Sequence, residues 1–138
     1  MDLSKFDASS AADEGVAMIV QHPIDDTNML DEETGESVVI TLIGQDSKSV
    51  QKLVHKITNR KLARTFKRGR GISIKAEQID TDALEILATC TKAWEGIVVD
   101  GEKLQCTFEN AKKVYERFPW LREQVDDFTT DRANFLGN

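Results

Sequence analysis

Cysteine, proline and histidine are scarce in this 138-residue chain, with two of each, and there is no long apolar run. Cys90 and Cys106 lie inside apolar patterns without neighbouring histidines, which favours buried, reduced thiols over a disulfide or a metal site. No window reaches the roughly 20 apolar residues of a bilayer-spanning helix, and the N-terminus lacks the pattern of a signal peptide. We therefore expect a soluble protein of the cytosol with no membrane partner.

Acidic and basic residues are segregated along the chain, although the net charge is only −6. Residues 1–36 contain ten acids and one lysine, whereas residues 48–70 contain nine lysines or arginines and no acid. Five of these cations recur every four residues and define a basic stripe on a predicted helix: Lys48, Lys52, Lys56, Arg60 and Arg64. The stripe predicts self-association or contact with an acidic surface, on this chain or on a partner. Nucleic acid binding is the alternative, which the sequence pI of about 4.9 disfavours.

The N-terminal third predicts a small sheet. Residues 1–13 are small, polar and acidic, and we expect a flexible arm with at most a short helix. An apolar run then ends at Pro23, and a second run, "VVITLI" over residues 38–43, ends at Gly44. These runs predict two antiparallel strands joined by a long acidic loop. Because the second run is apolar on both faces, we expect either that helices cover one side or that its edge pairs with another chain.

Two helices are predicted between residues 46 and 94, from apolar residues that recur at spacings of three and four. The first begins at a cap supplied by Asp46 or Ser47 and ends near Gly69 and Gly71. The second spans residues 76–94. Its apolar positions are Ile79, Ala83, Leu87, Cys90 and Trp94.

A turn and two further helices are predicted in the C-terminal part. Asp100-Gly101 indicates a hairpin, although a plain turn also suits the short flanks. Thr107 caps the third helix, and Pro119 ends it and opens the fourth. The buried stripe of the third helix is Phe108, Ala111, Tyr115 and Phe118. In the fourth helix, helical spacing continues to the C-terminus through Leu121, Val125, Phe128, Arg132 and Phe135. The expected fold is a single α+β domain over residues 1–138, mainly α, with about four helices and a small N-terminal two-stranded antiparallel sheet.

The residue inventory does not favour an enzyme. His22 precedes a proline at a strand end, and His55 lies in the middle of the basic helix, so neither belongs to a recognisable nucleophile motif. Acidic pairs such as Asp25-Asp26 fall in predicted loops, and the acidic loop lacks the calcium-binding pattern of an EF-hand. We expect no catalytic residue, no metal and no cofactor.

One block of the sequence carries a family signature, W-x-G-(I/V)-x-x-D-G-x-x-x-x-(C/F)-(T/S)-x-E-N-A. It is matched by Trp94, Gly96, Asp100, Gly101, Cys106, Thr107, Glu109, Asn110 and Ala111, and Pro119-Trp120 follows. With "ITLIGQDSKSVQKLVHKITNRKL" at 40–62 and "DRANFL" at 131–136, this block resembles the tail assembly chaperones of long-tailed phages. The likeness covers most of the chain. The loop "IDDTNMLDEETGE" is longer and more acidic than the family's usual "TG" connection, so no contact of that loop is transferred.

The resemblance implies a function without catalysis. Such chaperones bind the long, aggregation-prone helical tape measure protein, keep it soluble and help to recruit tail tube subunits. Many members are also made in a longer form by programmed translational frameshifting, and this chain would then be the short product. The implied partners are the tape measure protein, the major tail protein and further copies of the chain. The implied location is the host cytoplasm, with no copy in the mature virion. A structural tail component or a small nucleic-acid-binding phage protein is the alternative.

Most of the signature residues have a structural interpretation. Gly96 and Gly101 permit turn geometry, Thr107 caps a helix, and Asn110 lies in its first turn. Asp100, Glu109 and Pro119 are also expected to define the fold. The apolar edges of Trp94, Trp120 and Phe128 are the candidates for a groove that holds a partner helix.

Overall fold

Three extended segments pair into one antiparallel sheet in the computed structural model, which describes residues 1–68 and 76–136 and, of these, not the side chains of 64–68 and 76–80. The strands are β1 (Val16–Ile19), β2 (Val39–Leu42) and β3 (Thr91–Glu95), with β2 in the middle. Met18 lies opposite Ile40, which lies opposite Trp94. Ile40 and Leu42 have no exposed surface, so the central strand is part of the core.

The third strand corrects the predicted fold. A two-stranded sheet and a helix over residues 76–94 were expected, whereas α3 (Ala76–Cys90) ends at Cys90 and β3 follows it directly. Helical spacing does continue to Trp94, but the backbone groups of a buried strand need hydrogen-bond partners on both edges. The N–H of Ile43 already donates to the carbonyl oxygen of Cys90 at 2.8 Å. Both edges of β2 are therefore occupied within the chain, and β2 is not available for pairing with another molecule.

The chain is α+β and mainly helical, as predicted, but its helices are more numerous than expected. The described residues form α1 (Ala8–Ala12), α2 (Lys48–Arg68), α3, α4 (Phe108–Arg117), α5 (Pro119–Thr130) and α6 (Ala133–Leu136), with a 3₁₀ turn at Leu3–Phe6. α1 is the short helix allowed for in the N-terminal arm, and its Ala12 is buried. The predicted helical end near Gly69 and Gly71 lies outside the described residues.

The fourth predicted helix is interrupted at Asp131. Residues 121–135 were expected to form one helix to the C-terminus, yet α5 ends at Thr130 and Asp131 has extended backbone angles, φ −81° and ψ 103°. The Asp131 carboxylate accepts a hydrogen bond from the N–H of Ala133 at 3.0 Å. Such a local side-chain bond competes with the helical backbone bond, and so it explains the break between α5 and α6.

Turn and cap chemistry in the C-terminal part is confirmed. Asp100 and Gly101 both have positive φ, 52° and 80°, and they join β4 (Val98–Val99) to β5 (Glu102–Lys103) as a hairpin. The hydroxyl of Thr107 accepts from the N–H of Asn110 at 3.1 Å, and Pro119 occupies the first turn of α5. These features depend on a few neighbouring residues, which is why sequence patterns predict them.

The buried stripe of α4 differs from the prediction at its first position. Ala111 and Tyr115 are buried as expected, but Phe108 is 44% exposed and Val114 takes a buried place instead. Phe108 opens the helix, and its ring lies 5.3 Å from the ammonium of Lys112 rather than in the core. The core cluster combines strand residues with residues of α2 to α5, so helices cover one side of the sheet.

The cap of α2 comes from a distant part of the chain. The predicted caps were wrong: the Asp46 carboxylate is bound by the Arg132 guanidinium at 2.6 Å, and the buried Ser47 hydroxyl has no hydrogen-bond partner. Instead, the N–H of Lys48 donates to the Asp13 carboxylate at 3.1 Å. α1 and α2 are therefore linked through a contact that local spacing does not reveal.

Replacing Asp13 by alanine is expected to lower the free energy of unfolding by about 1 kcal/mol, because a first-turn N–H of α2 loses its acceptor. Urea denaturation followed by tryptophan fluorescence measures the change. Glu14→Ala is the matched control, since Glu14 is exposed and its side chain makes no hydrogen bond within the described residues. Equal midpoints for the two variants would contradict the capping role of Asp13.

Candidate protein-binding surfaces

Trp94, the first of the three predicted contact residues, is held inside the fold by its ring nitrogen. It lies on β3, is half-buried, and packs against the core cluster. Its Nε1–H donates to the carbonyl oxygen of Leu104 at 2.9 Å. This bond ties β3 to the segment that follows β5, and it gives Trp94 a structural task in addition to any contact with a partner.

Trp120 lies beside an apolar cleft at the start of α5. Its ring makes an edge contact with Phe118, with 6.4 Å between centroids. The cleft has a volume of about 160 Å³, and its lining includes Val20, Met29 and Val98 but no charged side chain. Val98 is 53% exposed at its rim. We call this feature the Trp120 cleft; it can take one or two apolar side chains of a partner.

Phe128 lies on a different surface. It belongs to the second half of α5, where its ring packs edge-on against Phe135 with 5.8 Å between centroids. It lines a groove of about 550 Å³ between β1 and α5, which we call the β1–α5 groove. Trp94 lines neither the cleft nor this groove. The structure therefore does not bring the three predicted aromatic residues together into one groove.

The basic stripe on α2 meets acidic residues of its own chain at one end. The Arg60 guanidinium lies 3.3 Å from the Glu85 carboxylate of α3, and Lys61 beside it lies 3.9 Å from the buried Asp82. Lys48, Lys52 and Lys56 are exposed, while the side chain of Arg64 lies outside the described residues. Arg60 thus contacts an acidic residue of its own chain, which is one of the roles predicted for the stripe.

Several signature residues build the turn between β3 and α4. Gly96 has φ 84°, and a side chain there would place its Cβ 3.2 Å from Val38. Asp100 receives two hydrogen bonds from the guanidinium of Arg117, at 2.6 and 2.9 Å. These bonds, and the charge of Arg117, hold the pKa of the Asp100 carboxyl below its usual range. Sequence reasoning did not identify Arg117, since it is the last residue of α4 and lies 17 positions after Asp100.

The signature residues of α4 stabilise the N-terminus of that helix. Asn110 donates from its side chain to the carbonyl oxygen of Gln105 at 2.9 Å, and its N–H is bound by the Thr107 cap. Glu109 is exposed in the first turn, where a carboxylate interacts favourably with the helix dipole. Each contact stabilises the start of α4, so the structural interpretation accounts for these residues.

The two thiols differ in their surroundings. Both cysteines are free, Cys90 is buried, and Cys106 is partly exposed. Burial raises the pKa of the Cys90 thiol from 9.0 to about 12, which lowers its thiolate fraction near neutral pH roughly a thousandfold. Burial raises the pKa of Cys106 as well.

Native protein at pH 8 is expected to react with iodoacetamide first at Cys106, while Cys90 reacts only after the chain unfolds, because the thiolate is the nucleophile. Mass spectrometry of timed samples gives the order of modification, and a urea-unfolded sample serves as the control in which the two thiols react at similar rates. Modification of Cys90 at the rate of Cys106 in the folded protein would contradict the buried environment.

The described part of the chain contains no candidate metal-binding cluster. Within residues 1–68 and 76–136, no group of three or more histidine, cysteine or acidic side chains is placed to hold a metal ion. None of the helices in those same ranges combines the length and apolar character needed to cross a bilayer.

Sequence patterns did not identify two residues of these surfaces. Val98 was expected only as a hairpin flank, and its exposure at the cleft follows from the position of β4 beside α5. Gln124 was not singled out, yet its side chain binds the backbone of Gln21 across the fold.

The chain matches no protein-family model, curated protein or solved structure with which it was compared. The family resemblance therefore stays a prediction based on the signature block.

Proposed function

We propose that this chain is a tail assembly chaperone of a long-tailed phage. It binds the tape measure protein, keeps that protein soluble and helps to recruit tail tube subunits. The observation that supports the binding role is the Trp120 cleft, an apolar recess with an exposed apolar rim at Val98. Its chemistry suits the apolar face of a helix rather than a polar small molecule.

The cleft suits such a partner for a simple energetic reason. A long helix with an exposed apolar stripe aggregates because adjacent molecules bury that stripe against each other. Covering one leucine-sized side chain contributes about 1.5–3 kcal/mol, which is a weak interaction by itself. Several copies bound along one long partner give a much stronger interaction than a single copy. Self-association of the chain, to which the exposed lysines of the basic stripe can contribute, fits this mode of action.

The remaining parts of the proposal follow the resemblance. The major tail protein is a second partner, reached through a longer frameshifted form. The chain acts in the host cytoplasm, needs no cofactor or metal, catalyses no reaction and leaves before the particle is complete. The signature turn between β3 and α4 keeps Val98 at the rim of the cleft, since Gly96 and Asp100 shape the hairpin that carries it.

Co-expression with the tape measure protein of the same gene cluster tests the proposal. The expected result is a tape measure protein that is soluble only when this chain is present and that co-purifies with it. The frameshifted form is tested in parallel, so that a need for the longer product is distinguished from absence of binding. An insoluble, unbound tape measure protein with both forms would overturn the proposal.

The alternative function depends on Lys48, Lys52 and Lys56, which are exposed and have no ion-pair partner within the described residues. A nucleic-acid-binding protein would shift DNA in a salt-dependent manner, because binding to phosphates releases counterions. A structural tail component would instead be detected in purified particles. Either result, without tape measure binding, favours the alternative.

A further inference from the structure

The outer edge of β1 offers unpaired backbone groups. In an antiparallel pair, alternate residues direct their N–H and C=O groups toward the neighbouring strand and away from it. Val20 donates to the carbonyl oxygen of Val38 at 2.9 Å, so residues of the same parity, such as Met18, face β2. Ala17 and Ile19 consequently direct their backbone groups outward. Among the described residues, nothing accepts from or donates to these outward groups.

Gln21 is the next residue whose backbone groups point outward, and its hydrogen bonds are made by a side chain. The N–H of Gln21 donates to Oε1 of Gln124 at 3.0 Å, and Nε2 of Gln124 donates to the carbonyl oxygen of Gln21 at 2.8 Å. One side-chain amide thus supplies the donor and the acceptor that a residue of an adjacent strand would supply. The edge is extended by a strand-like partner at Gln21 and is open at Ile19 and Ala17.

The space beside the open positions fits a single extended segment. The β1–α5 groove is about 550 Å³ in volume, with Ala17 and Ile19 on one wall and α5 on the other. Neighbouring strands lie about 4.8 Å apart, so a strand added here would occupy this groove. Ile19, which is 44% exposed, and Phe128 supply apolar contacts.

The charged side chains that line the groove are acidic and favour a basic partner. Its lining contains the carboxylates of Asp127 and Asp131 and no lysine or arginine. Both aspartates are exposed, and neither belongs to an ion pair within the described side chains. A cationic segment is therefore attracted. A second copy of this chain that paired through the same edge would bring two sets of these aspartates together, which disfavours self-pairing at this site.

We propose that the β1–α5 groove binds an extended, lysine- or arginine-bearing segment of a partner protein, which adds as a fourth strand beside β1. Backbone hydrogen bonds to Ala17 and Ile19 bind an extended segment whatever its side chains are, and the two aspartates select basic side chains. This site goes beyond the helix-binding role of the Trp120 cleft, and it does not depend on that role.

The test uses the full chain and a synthetic probe, the acetylated and amidated peptide KVKVKV, with EVEVEV as its acidic counterpart. Binding measured by NMR titration should be saturable for the basic peptide and absent for the acidic one. Hydrogen exchange at the amides of Ala17 and Ile19 should slow on binding, because these N–H groups become hydrogen-bonded. Basic binding that leaves both amides unprotected would overturn strand addition.

Variants separate the two parts of the recognition. Ala17→Pro removes one outward N–H while sparing the bonds to β2, and it should weaken KVKVKV about tenfold; Ala17→Ser keeps the N–H and is its control. Asp127→Asn with Asp131→Asn should weaken binding severalfold at low salt, whereas Glu32→Gln with Glu33→Gln, at exposed sites elsewhere, should not.

Circular dichroism checks that each variant is folded. If Ala17→Pro does not fold, the double asparagine variant and the exchange data decide. Unchanged affinity in Ala17→Pro, equal binding of the acidic peptide, or concentration-dependent dimerisation that protects the same amides without peptide would each overturn the proposal.

Discussion

Replacing Tyr115 by alanine is expected to lower the free energy of unfolding by roughly 3–5 kcal/mol, the range for truncation of a buried aromatic side chain. Among the described side chains, Tyr115 is the largest that is fully buried, and it lies in α4 within the core cluster. Its removal leaves a cavity between helices and sheet, where close packing prevents full collapse. Because the total stability of a domain of this size is only about 5–15 kcal/mol, the substitution should remove a large fraction of it.

Tyr115→Phe is the matched control for this prediction. The Tyr115 hydroxyl lies 2.6 Å from the hydroxyl of Thr91, which also donates to the carbonyl oxygen of Leu87 at 2.9 Å. The phenylalanine variant keeps the ring and loses the hydrogen bond, so its cost should be about 0.5–1.5 kcal/mol. Urea denaturation followed by far-ultraviolet circular dichroism measures both variants. Equal destabilisation by phenylalanine and alanine would show that the hydrogen bond, and not packing, dominates at Tyr115.

The proposed chaperone function predicts that replacing Val98 by glutamate abolishes solubilisation of the tape measure protein and weakens binding at least about tenfold, since a carboxylate would have to lose its hydration at the rim of the Trp120 cleft. Val98 lines the cleft and is 53% exposed, so the substitution removes little core packing. Lys103 is the cross-strand neighbour of Val98, which gives the new carboxylate a favourable partner in the free protein. Folding should therefore be preserved while partner binding is lost.

Ile24→Glu is the control with the same change of charge at an exposed apolar residue. Ile24 is 86% exposed and does not line the cleft. Co-expression with the tape measure protein, scored by its soluble fraction and by co-purification, compares the two variants with the wild type. Retained solubilisation by Val98→Glu, or an equal loss in Ile24→Glu, would exclude the Trp120 cleft as the binding surface.

The candidate surfaces were only partly predictable from the chain. Trp120 was selected as an exposed aromatic residue, and it does line a cleft, but Val98 and Met29 come to that cleft from segments far apart in the sequence. Phe128 was selected with it and lies in the other groove, because Phe128 is about 12 Å further along the same helix, at 1.5 Å per residue. Periodicity places side chains on a face of one element. It does not tell which other elements complete the surface.

The sequence by itself determined the elements whose stability is local. Asp100-Gly101 adopts a hairpin turn, Thr107 caps α4 and Pro119 separates α4 from α5, because each depends on the dihedral preferences or hydrogen bonds of residues within a few positions. The α+β class and the helical content follow from the spacing of apolar residues for the same reason.

Only the tertiary structure decided the elements whose partners are distant. Residues 91–95 continue a helical pattern, but they form β3 because the open edge of β2 offers hydrogen bonds that a longer α3 would leave unmade. Asp13 caps α2, and Gln124 completes the edge of β1 at Gln21, through contacts between segments separated by 35 and 103 positions. Local patterns carry no information about such pairs, since the free energy that selects them is gained only when the segments pack together.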